Sequence, residues 1–223
     1  MKKEIKILMV DDHPIIIEGY QNTLMATKQA DQNLHIDMAN DCDTAELLMR
    51  KSVNGIPYDV LFFDIRLPGS RDGSLASGED LAMLSKEILP DAKIVILTMF
   101  NEPYRIHNII KAINPDGFLV KSDLTSSELA EAFQHILETP PYYSNTVNQF
   151  MNKLVVNDIH VDEINRKILY LLSQGIKTRS LPEHVDLSIS SIEKRKKQLK
   201  DLFSVTDGKD ETLLEEARNK GFI

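Results

Sequence analysis

The first 138 residues alternate between two hydrophobic periods, and this alternation restricts the fold more than any other feature of the chain. Five short apolar or β-branched runs read as strands: Ile5–Val10, His35–Ala39, Tyr58–Phe63, Lys93–Thr98 and Gly117–Val120. Between them, Pro14–Thr27, Thr44–Lys51, Glu79–Leu89, Pro103–Ile113 and Leu124–Glu138 carry apolar residues at helical spacing, with Asp43 and Asp123 as candidate N-caps. Strands this uniformly apolar are buried on both faces. Five such β-α units predict an α/β fold, a parallel sheet covered by helices on both sides.

The bulk numbers narrow the class. A chain of 223 residues has room for one large domain or two ordinary ones, and 42% hydrophobic with 27% charged residues is a globular composition. No apolar run approaches the roughly 18 residues of a membrane span. The start, MKKEIKILMVDDHP, meets two aspartates after an apolar stretch too short for a signal peptide, so the expected location is cytoplasmic. The single cysteine, Cys42, excludes an intramolecular disulfide framework and a cysteine-rich zinc site. The net charge of −8 is unevenly spread. Residues 1–138 hold 22 acids against 13 bases, whereas residues 139–223 hold 12 against 13. Within that second part, Glu193–Lys200 carries five bases and one acid, so global acidity does not exclude an anionic partner.

In open parallel sheets, ligands bind beyond the carboxyl ends of the strands. The first predicted strand ends in Asp11-Asp12, the third in Asp64, the fourth in Thr98 and the fifth in Lys121. Three acids brought together repel one another unless they share protons or bind a cation. An oxygen-rich site with open positions suits Mg²⁺, which would let a phosphoryl group approach. One carboxylate could then act as nucleophile and form an acyl phosphate, with Lys121 pairing with the developing charge and Thr98 donating a hydrogen bond.

The residues that carry this site, in ILMVDDHP, LFFDIRLPG, IVILTM and GFLVK, resemble the receiver domain of bacterial two-component response regulators over nearly all of residues 4–138. The resemblance implies a flavodoxin-like, doubly wound, five-stranded sheet. It implies that Asp64 accepts a phosphoryl group from a sensor histidine kinase, and that Asp12, Asp64 and the backbone carbonyl of Arg66 hold Mg²⁺ with help from Asp11. Phe118 matches the family's aromatic switch position, coupled to Thr98. The equivalent of a family glycine after the phosphoacceptor is Gly78, which leaves about six extra residues in GSRDGSLASG, a polar loop expected to be mobile. Met99 stands where a smaller residue is usual, and Ser122 where many receivers have proline.

After a linker at 139–161, in which Thr146–Leu154 could form a short helix, everything reads as helix: Asp162–Gln174, Thr178–Val185, Ser190–Phe203 and Lys209–Lys220. In LPEHVDLSISSIEKRKKQLKDLF the rhythm is that of a helix-turn-helix, with Ile189, Ile192, Leu199 and Phe203 on an inward stripe and Lys196 beside it, obliged to snorkel. Residues 162–223 resemble the LuxR-type DNA-binding domain, which implies binding of duplex DNA at inverted repeats by a homodimer. On that resemblance Glu193, Lys194 and Lys197 face bases, while Lys177, Arg195 and Lys200 meet phosphates. Glu193 replaces a usual lysine and Pro182 interrupts the motif's first helix.

The expected function is a phosphorylation-controlled transcription regulator, and no enzyme beyond its own phosphotransfer and hydrolysis. Two other classes fit parts of the sequence. One is a protein-interaction module whose tail has lost DNA binding; the other is a metal-dependent phosphohydrolase, to which the tail contributes nothing.

Overall fold

The computed structural model describes residues 2–156 and 161–223; the stretch 157–160 of the expected linker lies outside the described residues. The chain divides into two compact units, residues 1–101 with 109–147, and residues 102–108 with 148–223.

The first unit is built on strands β1 (Lys3–Val10), β2 (Gln32–Ala39), β3 (Val60–Asp64), β4 (Lys93–Thr98), β5 (Gly117–Val120) and β6 (Tyr142–Tyr143), all parallel, in the order β2-β1-β3-β4-β5-β6. Its helices are α1 (Pro14–Thr27), α2 (Cys42–Val53), α3 (Gly78–Ile88) and α5 (Ser126–Glu138), together with the last residues of α4 (Pro103–Ile113), whose residues 103–108 belong to the second unit. α1 packs beside α5 and α2 beside α3. One face of the sheet presents Ile7, Met9, Phe62, Val95 and Leu119 to Ile17 and Leu24 of α1 and to Leu129, Phe133 and Ile136 of α5. The alternate residues Leu8, Val10, Leu61, Phe63 and Ile96 are equally buried, as a doubly covered sheet requires. All five residues of β3 are buried, each apolar one contributing about 1.5–3 kcal/mol relative to exposure.

Three details depart from the sequence reading. A sixth strand joins the sheet: Tyr142–Tyr143, expected as linker, pairs with Gly117 and Phe118 of β5. Two residues carry no readable period, so only the tertiary partner reveals them. The caps also differ. Asp41, not Asp43, accepts from the Thr44 amide to start α2, and Thr125, not Asp123, accepts from the Glu128 amide to start α5. Asp123 instead closes a 3₁₀ turn, Lys121–Asp123. The extra loop is held by bonds of its own: the Ser70 amide donates to the Leu75 carbonyl, Asp72 accepts from Ser70 and Ser74, and Asp80 accepts from the Ala76 and Ser77 amides.

α6 (Asn145–Val156) overlaps the short helix expected in the linker. It is followed in the second unit by α7 (Glu163–Ser173), α8 (Ile189–Leu202) and α9 (Asp210–Asn219). Asp162 caps α7 by accepting from the Asn165 amide, and Gly175 follows it at φ +82°, a left-handed conformation that favours glycine. The expected helix Thr178–Val185 is a 3₁₀ segment, Thr178–Glu183, because Pro182 lacks the amide that an α-turn would use. Ile168, Leu172, Leu181, Ile192, Leu199, Phe203, Leu213 and Phe222 form the core. Ile189 does not join it: at 45% exposure it leaves the inward stripe.

Lys196 does not snorkel to water. It is 5% exposed, and its ammonium donates to Thr178 Oγ1 at 2.7 Å and pairs with Asp210 Oδ2 at 2.7 Å. Lys200 pairs with the other oxygen of Asp210, also at 2.7 Å. Burial opposes ionisation of Asp210, but hydrogen bonds and charge from the two lysines outweigh it and hold its carboxyl below the usual range. A lowered folded pKa contributes stability that is present above the unfolded value of about 4 and lost as pH falls through the folded value. The expected outcome is that Asp210→Ala destabilises the second unit by roughly 2 kcal/mol, below the 3–5 of a fully buried pair because Asp210 is 35% exposed, and flattens its acid unfolding below about pH 4. Urea melts between pH 3 and 7 measure both.

Candidate phosphoacceptor site and candidate DNA interface

Each residue of the acidic site lies where a strand ends and the chain must turn. Parallel pairing sets β1 beside β3, β3 beside β4 and β4 beside β5, so their carboxyl ends form one edge. Asp11 follows β1, Asp64 ends β3, Thr98 ends β4 and Lys121 follows β5. Asp11, Asp64 and Thr98 are buried, at 1%, 4% and 1% exposure.

The central contact is a shared ammonium. Lys121 Nζ donates to Asp11 Oδ2 at 2.6 Å and to Asp64 Oδ2 at 2.8 Å, with all three side chains at most 5% exposed. Asp64 Oδ1 accepts from the Arg66 amide at 3.3 Å, which puts the backbone of residue 66 beside the carboxylate. Burial raises the Asp64 pKa, and the repulsion of Asp11 adds to it; hydrogen bonding and charge from Lys121 pull the other way without cancelling the rise. The Asp64 carboxylate is thus kept under-solvated.

Asp12 is the exposed member of the set, its side chain 35% accessible. His13, which the sequence reading left unassigned, bridges the pair: Nδ1 lies 2.5 Å from Asp12 Oδ1 and 3.2 Å from Asp11 Oδ1. One donor atom from each of Asp11, Asp12, His13 and Asp64 falls within 4.8 Å of the others, a spacing compatible with one divalent metal ion. Predominantly carboxylate donors suit a hard cation, and the second charge would offset three acids that Lys121 alone cannot neutralise.

At the rim, Thr98 Oγ1 accepts from the Phe100 amide at 3.0 Å, and the Arg66 guanidinium lies 4.5 Å over the Phe100 ring. Phe118 is fully buried. Gly78 begins α3 against the back of the site, and a Cβ there would collide with the Asp64 carbonyl. Gly78 is therefore fixed by its approach to Asp64.

In the second unit the basic run splits by direction. Glu193, Lys194 and Lys197 are exposed on α8, together with Gln198, which the sequence reading passed over. Lys177 is exposed before the 3₁₀ segment. Arg195 is engaged within the unit, donating to Asp162 Oδ2 at 2.9 Å and Asn165 Oδ1 at 3.1 Å. Lys200 likewise donates to the Gly208 carbonyl at 2.6 Å besides its pair with Asp210.

Comparison with known proteins places the first unit. The Response regulator receiver domain family matches residues 7–134, more than half of the chain. The chain belongs to the response regulators. Among curated relatives of this response regulator, the Oxygen regulatory protein NreC of Staphylococcus epidermidis is 22% identical over 205 residues, covering 86% of this chain and 88% of the relative. The Transcriptional regulatory protein RcsB of Escherichia coli is 22% identical, covering 86% and 85%. A solved structure of two RcsB dimers bound to two parallel DNAs superposes with a TM-score of 0.63 at 20% identity, covering 97% of this chain and 98% of that one, and so shares its fold. Among the described residues, no helix is long and apolar enough to cross a membrane.

The glycine contact gives a direct test of the site's construction. Gly78→Ala must push α3 away from Asp64 or displace the Asp64 backbone. The expected result is a loss of about 1–3 kcal/mol in stability, as for other overpacked sites, with at least a tenfold slower acyl-phosphate formation. Ala82→Gly on the same helix should cost about 1 kcal/mol and leave the rate unchanged; thermal melts and phosphate-affinity gels compare the two.

Proposed function

We propose that this response regulator accepts a phosphoryl group on Asp64 from the phosphohistidine of a sensor kinase and converts the event into DNA binding by its second unit. The observation that carries the reading is the buried Asp64 carboxylate, raised in pKa yet held by Lys121 and the Arg66 amide. In the transfer, an Asp64 oxygen forms a P–O bond as the P–N bond to imidazole breaks, and the imidazole leaves with the electron pair. Asp12, Asp64 and the Arg66 carbonyl, with Asp11 assisting, would hold Mg²⁺, which would supply charge neutralisation for the phosphoryl oxygens. Lys121 stays on the carboxylate side and transfers one hydrogen bond to the new phosphoryl group. Thr98 donates a second through the hydroxyl proton that its bond with the Phe100 amide leaves free, and Phe118 on the adjacent strand repacks in response. The protein acts on its own acyl phosphate and turns over no separate metabolite.

For the output, the fold shared with RcsB, whose solved complexes contain DNA, supports the reading that α8 enters the major groove. Glu193, Lys194 and Lys197, joined by the exposed Gln198, are its candidate base readers, and Lys177 is a phosphate contact. Arg195 and Lys200 reach phosphate only by exchanging their present partners. The active species is read as a homodimer on inverted repeats, in the cytoplasm.

The expected results follow from this division. Asp64→Asn takes up no phosphoryl group from acetyl phosphate with Mg²⁺ and shows no phosphodonor-dependent gain in DNA binding, while its melting temperature at pH 7 does not fall, because a costly buried charge is removed. Lys177→Ala weakens binding across sequences and reduces the slope of log K against log salt by about 1, whereas Lys194→Ala and Lys197→Ala weaken binding most at the preferred site and relax specificity there. Fluorescence anisotropy with labelled duplexes at 50–200 mM salt measures both. A full chain that accepts phosphate normally but binds no duplex at low salt would favour a protein-interaction output instead.

A further inference from the structure

The sixth strand does more than extend the sheet. It brings the start of the linker against the strand that leads to Lys121. The Tyr142 amide donates to the Asp116 carbonyl at 2.9 Å and the Ser144 amide to the Phe118 carbonyl at 3.0 Å. Ser144, fully buried, then bonds in two further directions: its Oγ accepts from the Val120 amide at 3.1 Å and donates to Asp123 Oδ2 at 2.6 Å. The Asp123 carboxylate also accepts from the Thr146 amide at 2.8 Å and from Thr146 Oγ1 at 2.8 Å. Thr146 is in the first turn of α6, where a carboxylate satisfies an otherwise unpaired amide and complements the helix dipole. Asp123 therefore caps α6 from a distance of 23 residues. Beside it lies the phosphoacceptor machinery: Lys121 opens the 3₁₀ turn that Asp123 closes, and Val120 pairs with Thr98 across β4 and β5.

We propose that Asp123 is a positioning residue that couples the phosphorylation state of Asp64 to the linker helix, through a clasp formed with Ser144 and Thr146. The inference rests on the reading of Asp64 as phosphoacceptor. When Lys121 transfers a hydrogen bond from Asp64 to the phosphoryl group, the turn it opens moves, and the carboxylate at the other end of that turn moves with it. Ser144 makes the coupling double, since it holds the Phe118 carbonyl, the Val120 amide and Asp123 at once. A displacement of the switch strand or of the lysine turn cannot leave the first turn of α6 where it was. The carboxylate fits this role better than a neutral side chain would, because three donors converge on its two oxygens and charge-assisted bonds of this kind are short and strong.

The test uses the full chain with Mg²⁺, acetyl phosphate as phosphodonor and beryllofluoride as a stable phosphoryl analogue. In the unaltered chain, beryllofluoride should change amide hydrogen exchange in peptides spanning residues 142–156 by several-fold. In Asp123→Ala, and independently in Ser144→Ala with Thr146→Val, exchange in 142–147 should be roughly tenfold or more faster and no longer respond to beryllofluoride. Acyl phosphate on Asp64 should remain within twofold of the unaltered chain. Two separate variants, which remove the acceptor or its two side-chain donors, guard against a local folding defect in either. Normal acyl phosphate together with unchanged exchange at 142–156 overturns the coupling alone, as does a retained response in both variants. Absence of acyl phosphate from the unaltered chain overturns the reading of Asp64 and the coupling with it.

Discussion

One buried ammonium, Lys121 shared between Asp11 and Asp64, is the contact on which the site and its surroundings depend. Two carboxylates at the ends of neighbouring strands repel each other across a medium that screens poorly, so the pair needs a cation beside it. Lys121 makes the arrangement tolerable without making it comfortable: the Asp64 pKa stays raised, because burial exceeds what Lys121 returns. The sheet supplies the geometry. Strands that end in register place the ammonium 2.6 and 2.8 Å from its two acceptors, and burial of every residue of β3 denies Asp64 the freedom to turn away. On the proposed reading, the tension left in the site favours the uptake of a cation and a phosphoryl group.

The same economy of charge recurs in the second unit with the opposite outcome. There Asp210 sits between Lys196 and Lys200, two bases and one acid, and the carboxyl pKa is lowered rather than raised. That arrangement is a structural joint between α8 and α9. It withdraws two of the five bases of Glu193–Lys200 from the surface and leaves Lys194 and Lys197 facing outward, with Arg195 held at the cap of α7. A basic run in sequence is thus divided by packing into cations that hold the unit together and cations available to a partner.

Much of the first unit was legible because burial on both faces writes a continuous apolar run into each strand, and because the bounds of α1, β4, α4 and β5 coincide with changes of period. The five residues on the carboxyl edge followed from topology alone. What could not be read were contacts made between distant segments. Tyr142–Tyr143 has no strand period of its own, and Asp123 looked like an N-cap for α5 because nothing local shows that its donors lie at Ser144 and Thr146. Asp43 and Asp41 are both plausible caps two residues apart, and only the Thr44 amide decides between them. Lys196 was assigned to the surface by residue type, whereas its acceptors, Thr178 and Asp210, come from elements before and after its helix. Ile189 reached the inward stripe by angle, but the stripe begins one turn later.

The claim that Asp64 is the nucleophile can be tested at the level of the bond. Full-length protein is incubated with acetyl phosphate and Mg²⁺, the acyl phosphate is reduced with borohydride to the corresponding alcohol, and the modified residue is located by mass spectrometry. Conversion is expected at Asp64, abolished by omission of the divalent ion and strongly reduced in Lys121→Ala. Conversion at Asp11 or Asp12, or at Asp64 with equal yield in the absence of the cation and of Lys121, would contradict it.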